Sequence, residues 1–420
     1  MKDNQIITMN GQQNSSNSLI DRVIGFITER KKKAERGDIN CILLPFIRFR
    51  SELVGIEQGN YYLVSGLTKS AKSQITNYLF VYNTIFYAID NPDKISIKIF
   101  YYPLEETPES ITLRFMSFLL FKLSNKRIRI SPVDLKSTNS DKPLDDEILD
   151  LLKSDEYQRY MKFFEEHVSF MSDRNPTGIW KTAKAYADNN GTSYYKSIKY
   201  INKETGLEEE RKAFDYYVPN DPKEYVFILV DHVSLIENEK GMTLRETINK
   251  LSEYMIILRN KYNYIPVIVQ QQSTETGNLD AYKAGKIRPT MAGLSDSKYT
   301  AKDCTVMLGI TNPYSFEIPE YLGYNIQKLK GNARFLEVVL NRNGQSNGIC
   351  PLYFDGATNF FNELPLPDEV LGMEKVYKYL ETIRKKSTAF FISKINNNLH
   401  SKEKSNIFAK LFNKIKNIFK

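Results

Sequence analysis

A lysine and a serine stand together where chemistry on a phosphate group would need them. Lys72 and Ser73 are preceded by a short loop that begins at Gly66, and an apolar stretch with helical spacing follows at about 75–89. A short apolar run at 61–64 predicts a buried strand before the loop. Loop amides and a helix N-terminus attract phosphate oxygens. This order predicts a phosphate-binding loop in which Lys72 reaches the β- and γ-phosphates and Ser73 ligates Mg²⁺.

The loop departs from the usual pattern at its second glycine, which is Ala71 here. Glycine is favoured at that point because the backbone and the phosphate come close. Alanine is the smallest alternative, so the loop can form if the dihedral angles of Ala71 are not left-handed. A lysine- and serine-rich surface loop is the alternative interpretation. The residues predicted to bind the nucleotide are Gly66, Leu67, Thr68, Lys69, Ser70, Ala71, Lys72, Ser73 and Gln74.

Carboxylates follow two predicted buried strands further along the chain. Glu105 and Glu106 come after the strand predicted at 95–101, and Asp231 ends a continuous apolar run. A hydrolysing water must lose a proton near the γ-phosphate, so we expect Glu105 to be the base and Glu109 to cap the next helix. We expect Asp231 to hold Mg²⁺ through water. Helix-capping glutamates and a solvated aspartate are the alternatives.

Amides and basic groups follow the next strand. The apolar strand predicted at 265–269 is followed by three glutamines at 270–272, and amides at a strand tip that faces a nucleotide can sense the γ-phosphate. The segment 274–298 then carries these basic and aromatic side chains: Tyr282, Lys283, Lys286 and Arg288. A basic loop with an aromatic suits a phosphodiester backbone, which predicts DNA binding by its three cations. A solvated loop is the alternative.

Bulk composition narrows the classes of function. The chain has 420 residues, and a hydrophobic content of 41% allows a sizeable core. The balance of 58 Lys+Arg against 50 Asp+Glu fits a polyanionic partner without requiring one. The three cysteines and three histidines lack metal-ligand spacing, which argues against a zinc enzyme and favours a reducing compartment. No run of about 18 apolar residues predicts a membrane span, so we expect a cytoplasmic protein.

These groups require a sheet whose strands end at one edge, and the pattern of apolar runs predicts an α/β fold with a mostly parallel sheet flanked by helices. Composition and spacing divide the chain into a disordered tail at 1–18, an amphipathic linker helix at 19–40, a nucleotide-binding domain at 41–366 with an insertion at 190–222, and a basic helical extension at 367–420. Helices are also predicted at 144–152, 157–170 and 177–189.

Several motifs occur in the order found in one family. The chain resembles the C-terminal ATPase domain of the DnaB-type replicative helicases, which have a RecA-like fold, from about Ile42 to Phe361. Beside the phosphate loop, the resemblance rests on Gly-Ile-Glu-Gln-Gly at 55–59, Pro-Leu-Glu-Glu at 103–106, Val-Asp-His-Val-Ser-Leu at 230–235, Ile-Pro-Val-Ile-Val at 265–269 with Gln272, and Arg-Asn-Gly at 342–344. No single motif is decisive, but their common order is a strong signal.

The resemblance implies a RecA-like P-loop NTPase and a role for each matching residue. Glu105 is expected to be the catalytic glutamate, Asp231 the Mg²⁺ aspartate and Gln272 the phosphate-sensing glutamine. Arg342 is expected to be an arginine finger that acts on the neighbouring subunit's nucleotide. The resemblance also implies ATP and Mg²⁺ as cofactors, single-stranded DNA as a partner, a ring of about six copies as in hexameric helicases, and contact with a primase or helicase loader.

The chain also departs from the family. Leu340 stands where the family usually has a lysine near the γ-phosphate, and Ser295 stands at a usual arginine. The family's N-terminal domain has no counterpart in residues 1–40, which is an arrangement we expect of a phage-encoded helicase. The expected function is an ATP-dependent replicative DNA helicase. The alternatives are a RecA-like DNA-dependent ATPase without unwinding activity and a non-hydrolysing scaffold ring of a replication complex.

Overall fold

The computed structural model describes residues 19–202, 206–273 and 287–399. In chain order the α-helices are α1 Leu19–Glu35, α2 Lys72–Thr76, α3 Asn83–Asp90, α4 Pro108–Leu123, α5 Pro132–Leu135, α6 Asp146–Leu152, α7 Asp155–His167, α8 Pro176–Asn189, α9 Leu244–Tyr262, α10 Tyr299–Asp303, α11 Ile326–Leu329 and α12 Val370–Leu399. A π-helical stretch, Asn77–Tyr82, joins α2 to α3. The predicted tail 1–18 and the end of the predicted extension, 400–420, lie outside the described residues.

The strands build one large sheet and three short pairs within the described part of the chain. They are β1 Ile42–Leu43, β2 Gly55–Ile56, β3 Tyr62–Gly66, β4 Ser96–Pro103, β5 Val168–Phe170, β6 Gly191–Ile201, β7 Glu208–Pro219, β8 Glu224–Asp231, β9 Ile265–Gln271, β10 Val306–Thr311, β11 Glu320–Tyr321, β12 Tyr324–Asn325, β13 Ala333–Asn341, β14 Ile349–Asp355 and β15 Phe360–Glu363. The large sheet has the order β15-β14-β13-β10-β3-β9-β8-β4-β5. Its strands from β10 to β5 run parallel, and β13, β14 and β15 add an antiparallel side.

The central strands are apolar and buried because helices cover both faces of the sheet. Leu63 and Ile228 on one face belong to a core cluster that includes α8 and α9, with Leu251 as a central contact. Tyr62, their neighbour on the opposite face, packs against Phe80 of the π-helical stretch. This two-sided burial explains why β8 and β9 have continuous apolar sequences instead of alternating ones. The predicted mostly parallel α/β sheet is confirmed.

The middle of the chain contains an insertion and one departure from the predicted elements. The segment predicted as an insertion forms an antiparallel hairpin of β6 and β7, on which Tyr194 stacks on Tyr216. The predicted helix 157–170 is wrong at its end. Helix α7 stops at His167, and Val168–Phe170 is β5, paired with β4 at the sheet edge.

The chain divides into two compact units, and the second comprises 319–330 together with the chain from 364 onward. In that unit the β11–β12 pair leads into α11. The Arg384 guanidinium on α12 donates hydrogen bonds of 2.9 Å to the carbonyls of Lys328 and Leu329, so α11 and α12 are linked by direct contacts. None of the described helices is long and apolar enough to cross a membrane.

Candidate functional site

The parallel strands bring the predicted site residues to one edge of the sheet. Gly66 at the end of β3 lies opposite Gln271 at the end of β9, and Pro103 at the end of β4 lies opposite Asp231 at the end of β8. The Leu104 amide donates to the Asp231 carbonyl over 2.8 Å, which fixes the segment carrying Glu105 beside Asp231. Carboxyl ends of parallel strands are the usual place for ligand sites in α/β sheets.

The loop between β3 and α2 has the compact form of a phosphate-binding loop. A Cβ at Gly66 would stand 2.6 Å from the Ile310 carbonyl oxygen, so only glycine fits at the start of the loop. The Ser70 amide donates to the Leu67 carbonyl over 3.2 Å, and the Lys72 ammonium group contacts the same carbonyl at 3.2 Å. Burial lowers the pKa of Lys72, while the charges of Asp231 and Glu105 raise it. A desolvated lysine that is held inside the loop is placed to bind phosphate oxygens.

Ala71 adopts the conformation that was expected to be incompatible with the loop. Its φ of 77° and ψ of 37° lie in the left-handed region, and it directly precedes the first residue of α2. The condition that its dihedral angles are not left-handed is therefore wrong, yet the loop forms. A non-glycine residue in this region costs about 1–2 kcal/mol. Other contacts must offset that cost.

Ser73 and Asp231 form the centre of a candidate Mg²⁺ site. The Ser73 hydroxyl is hydrogen-bonded to the Asp231 carboxylate, whose burial is the main reason that its pKa rises to about 7. Among the described residues, the Asp231 Oδ1 atom is buried without a hydrogen-bond partner. A buried oxygen with no donor is a site for a cation or for a water bound to one. This donor set fits Mg²⁺ held by Ser73 and, through water, by Asp231.

The adjacent carboxylates of Glu105 and Glu106 have different surroundings. The Glu105 side chain is 53% exposed and lies 3.4 Å from the Nε2 atom of His232. The Glu106 carboxylate is held by the Arg114 guanidinium at 2.7 Å. Glu109 lies in the first turn of α4 and is hydrogen-bonded to Thr107, as expected of a capping charge. Of the two adjacent carboxylates, Glu105 is thus the one with room to meet a water molecule.

The three glutamines at the end of β9 divide between a buried and an exposed position. The Gln272 amide is buried, donates to Ser65 Oγ over 2.9 Å and exchanges hydrogen bonds with the Thr290 backbone. Gln270 is also buried and bonded. Gln271 points its amide at the Thr68 hydroxyl of the phosphate loop. The glutamine in direct contact with the loop is therefore Gln271, which the sequence motif did not single out.

Arg342 lies at the opposite edge of the sheet from its own phosphate loop. Its amide donates to the Thr305 carbonyl, and Thr305 in turn bonds Tyr61 at the amino end of β3. Its guanidinium donates to the Cys304 carbonyl over 2.9 Å and to the Lys302 carbonyl. The length of β3 is roughly 16 Å at about 3.3 Å a residue, so this group cannot reach a nucleotide on the same chain.

The predicted DNA-binding cations fall partly outside the described residues. Lys283 and Lys286 lie in the segment 274–286, which the structure does not describe. Arg288 is described, and its Nε atom donates to the Glu337 carboxylate over 2.8 Å. The same guanidinium makes a second contact to that carboxylate, so Arg288 ties the end of this segment to the middle of β13.

Two polar residues near the loop carried no sequence signal. The Asn312 amide, just after β10, donates to the Lys69 carbonyl over 3.2 Å. The Arg334 guanidinium, near the start of β13, donates to the Ser70 carbonyl over 2.9 Å. Both are far from the loop in sequence and belong to no short motif, so only the folded chain brings them to it.

Comparison with known proteins identifies the fold. No protein-family model and no curated protein matches the chain. Among solved structures, one isolated ATPase domain is similar at 13% identity with a TM-score of 0.55, covering 83% of this chain and 100% of that one. A DnaB-like replicative helicase, solved to study its interactions with primase, is similar at 12% identity with a TM-score of 0.54, covering 82% of this chain and 70% of that one. The chain thus has the RecA-like fold of DnaB-type helicase ATPase domains, as its motifs predicted.

Proposed function

We propose that the protein is an ATP-driven replicative DNA helicase that assembles as a ring and translocates on single-stranded DNA. The single observation that carries the proposal is the split of its polar groups between the two edges of one sheet. Lys72, Ser73, Asp231 and Glu105 meet at the carboxyl edge, while Arg342 lies at the other. One copy then supplies the binding loop and a second copy supplies the arginine, which requires adjacent subunits.

In the proposed reaction the loop amides and Lys72 bind the β- and γ-phosphates of ATP. Glu105 accepts a proton from a water molecule, whose oxygen attacks the γ-phosphorus as the bond to the β–γ bridging oxygen breaks. The products are ADP and phosphate. His232, 3.4 Å from Glu105, limits the positions open to that carboxylate. When bound, Mg²⁺ neutralises charge on the phosphates, and Ser73 and Asp231 are the residues that would hold it.

The proposed partners follow from the same reaction. The described Arg288 and the undescribed Lys283 and Lys286 remain our candidates for contact with the DNA backbone. A ring of six copies would place each Arg342 against its neighbour's nucleotide. One similar structure is described with primase, and we extend a primase or helicase-loader contact to this protein as part of the proposal. A replicative motor works where the DNA is, so the proposal includes a cytoplasmic location.

The test is ATP hydrolysis by the purified protein with and without single-stranded DNA. We expect DNA to stimulate hydrolysis and Glu105→Gln to reduce it about 100-fold or more while nucleotide still binds. Glu106→Gln is the matched control, because the Glu106 carboxylate is already held by Arg114 at 2.7 Å. We expect that variant to retain most of the activity.

Two results would favour the alternative functions. Nucleotide binding without hydrolysis above background would refute the motor and support a scaffold ring, for which the left-handed Ala71 is the motivating observation. DNA-stimulated hydrolysis without unwinding of a forked duplex would instead support a RecA-like DNA-dependent ATPase. Equal loss of activity in Glu105→Gln and Glu106→Gln would contradict the assignment of the base to Glu105.

A further inference from the structure

Arg334 is a buried cation that lies against the outside of the phosphate loop. Only 6% of the residue is exposed. Besides its 2.9 Å bond to the Ser70 carbonyl, it donates to the Gly331 carbonyl over 2.9 Å and to the Ala333 carbonyl over 2.7 Å. Its Cζ atom lies 5.0 Å from the centre of the Phe354 ring. Burial lowers the pKa of Arg334 to about 10, so the group remains charged at neutral pH.

This guanidinium is held by backbone groups instead of a counter-ion. In the described part of the chain no carboxylate forms an ion pair with Arg334, and buried charges are normally paired. Its hydrogen bonds go to carbonyl oxygens, one of which belongs to the phosphate loop. A charged donor makes a stronger hydrogen bond than a neutral one, so this contact is suited to holding a loop peptide in one orientation.

The orientation of that peptide determines where the next amide points. The Ser70 carbonyl and the Ala71 N–H belong to one planar trans peptide, in which the two groups point in opposite directions. Because the carbonyl is directed at Arg334, the Ala71 N–H is directed away from it, towards the inside of the loop. Inward-facing amides are what such a loop offers to phosphate oxygens.

The same peptide carries the strained residue. Ala71 has a φ of 77°, a conformation in which glycine is not penalised and alanine is. We propose that Arg334 is a positioning residue that holds the Ser70–Ala71 peptide in its phosphate-binding orientation and so offsets the cost of alanine at position 71. The inference rests on the proposed function only in requiring that the loop binds a nucleotide.

The test is a double-mutant cycle on nucleotide affinity, with Mg²⁺ and a fluorescent ATP analogue as the probe. Arg334→Gln is expected to weaken binding about tenfold. Ala71→Gly is expected to change the affinity of the wild type less than about twofold, because Arg334 already holds the peptide. In the Arg334→Gln background, Ala71→Gly is expected to recover about fivefold or more, because glycine adopts the left-handed conformation without a penalty.

The inference is overturned if Arg334→Gln binds the analogue as wild type does, or if Ala71→Gly improves affinity by the same factor in both backgrounds. Arg50→Gln is a matched control, since Arg50 is a half-buried arginine whose Nε donates to the Leu44 carbonyl over 2.7 Å. It is expected to leave affinity unchanged. Arg334→Lys retains the charge but not the planar fork and is expected to bind with intermediate affinity, so it carries the test if Arg334→Gln does not fold.

The readout needs neither DNA nor hydrolysis. A wild type that binds the analogue but shows no DNA-stimulated hydrolysis would refute the proposed helicase, and the double-mutant cycle would still decide the role of Arg334. A wild type that binds no nucleotide would refute both.

Discussion

Replacing Asp231 with asparagine tests the candidate metal site through protein stability. Burial raises the pKa of Asp231 from 3.8 to about 7, and the charges of Glu106 and Glu105 add to the increase. The hydrogen bond with Ser73 and the charge of Lys72 lower it in part. In the absence of a cation, the ionised carboxylate is therefore less favourable in the folded protein than in the unfolded chain.

The sign and size of the effect follow from this difference. Between about pH 4 and pH 7 the folded protein keeps a proton on Asp231 that the unfolded chain has released, so the free energy of unfolding falls as the pH rises. A pKa difference of about 3 corresponds to about 4 kcal/mol. Asp231→Asn removes the ionisable group at nearly constant volume. We expect the metal-free variant to be more stable than wild type by up to about 4 kcal/mol at pH 8, with the advantage shrinking towards pH 4.

The assay is the thermal unfolding midpoint at several pH values between 5 and 8 in the presence of EDTA. A gain of about 4 kcal/mol corresponds to a rise of roughly 5 °C for a protein of this size. Added Mg²⁺ and ATP are expected to raise the midpoint of wild type more than that of the variant, because a bound cation favours the ionised carboxylate. A variant that is less stable than wild type at pH 8 without metal would refute the reasoning.

Asp355→Asn provides the contrast in this experiment. The Asp355 carboxylate is fully buried and accepts hydrogen bonds of 2.7 Å and 2.8 Å from the Arg129 guanidinium. Removing one partner of such an ion pair leaves the other uncompensated, so this variant is expected to have a lower unfolding midpoint than wild type from pH 5 to pH 8. Neutralising two buried aspartates should thus have opposite effects at pH 8, because one is paired and the other is not.

Two further predictions concern the other groups of the site. Gln271→Ala is expected to reduce DNA-stimulated hydrolysis with little change in unfolding midpoint, since its amide contacts Thr68, whereas Gln272→Ala removes buried hydrogen bonds and is expected to lower the midpoint; steady-state kinetics and thermal unfolding would contradict this if the two effects were exchanged. Arg342→Ala and Lys72→Ala proteins are each expected to be inactive, but mixing them should restore hydrolysis, because one supplies the binding loop and the other the arginine. Mixtures that are inactive at every ratio would contradict a role for Arg342 in the neighbouring site.

The convergence of the site could be predicted because it depends on strand order and polarity. Continuous apolar runs indicate buried parallel strands, and the carboxyl ends of such strands meet at one edge. The residues immediately after the runs, among them Lys72, Glu105 and Asp231, must then lie near one another. Each of these residues is placed by the strand that precedes it, so the local sequence is sufficient to locate it.

The choice among the glutamines could not be made from the sequence. Successive residues on a strand point to opposite faces, so Gln270 and Gln272 must share a face and Gln271 must take the other. Which face looks towards the phosphate loop depends on the pairing of β9 with β3, where Gly66 lies opposite Gln271. The short strand β5 escaped prediction for a similar reason. Three residues are too few to show a period, and β5 is defined by its pairing with β4, where Val168 lies opposite Ile99.

Ala71 illustrates how far a motif can be judged from its own residues. Its local sequence favours a dihedral angle outside the left-handed region, and the structure has a φ of 77°. A substitution that is unfavourable locally can persist when a contact from elsewhere holds the same conformation, because strain is tolerated where the surroundings over-determine it. In the proposed account that contact is Arg334, which reaches the Ser70 carbonyl across 264 positions of sequence. Whether a phosphate loop tolerates alanine is then a property of the sheet that surrounds it, and a variant at position 334 is where the tolerance should be lost.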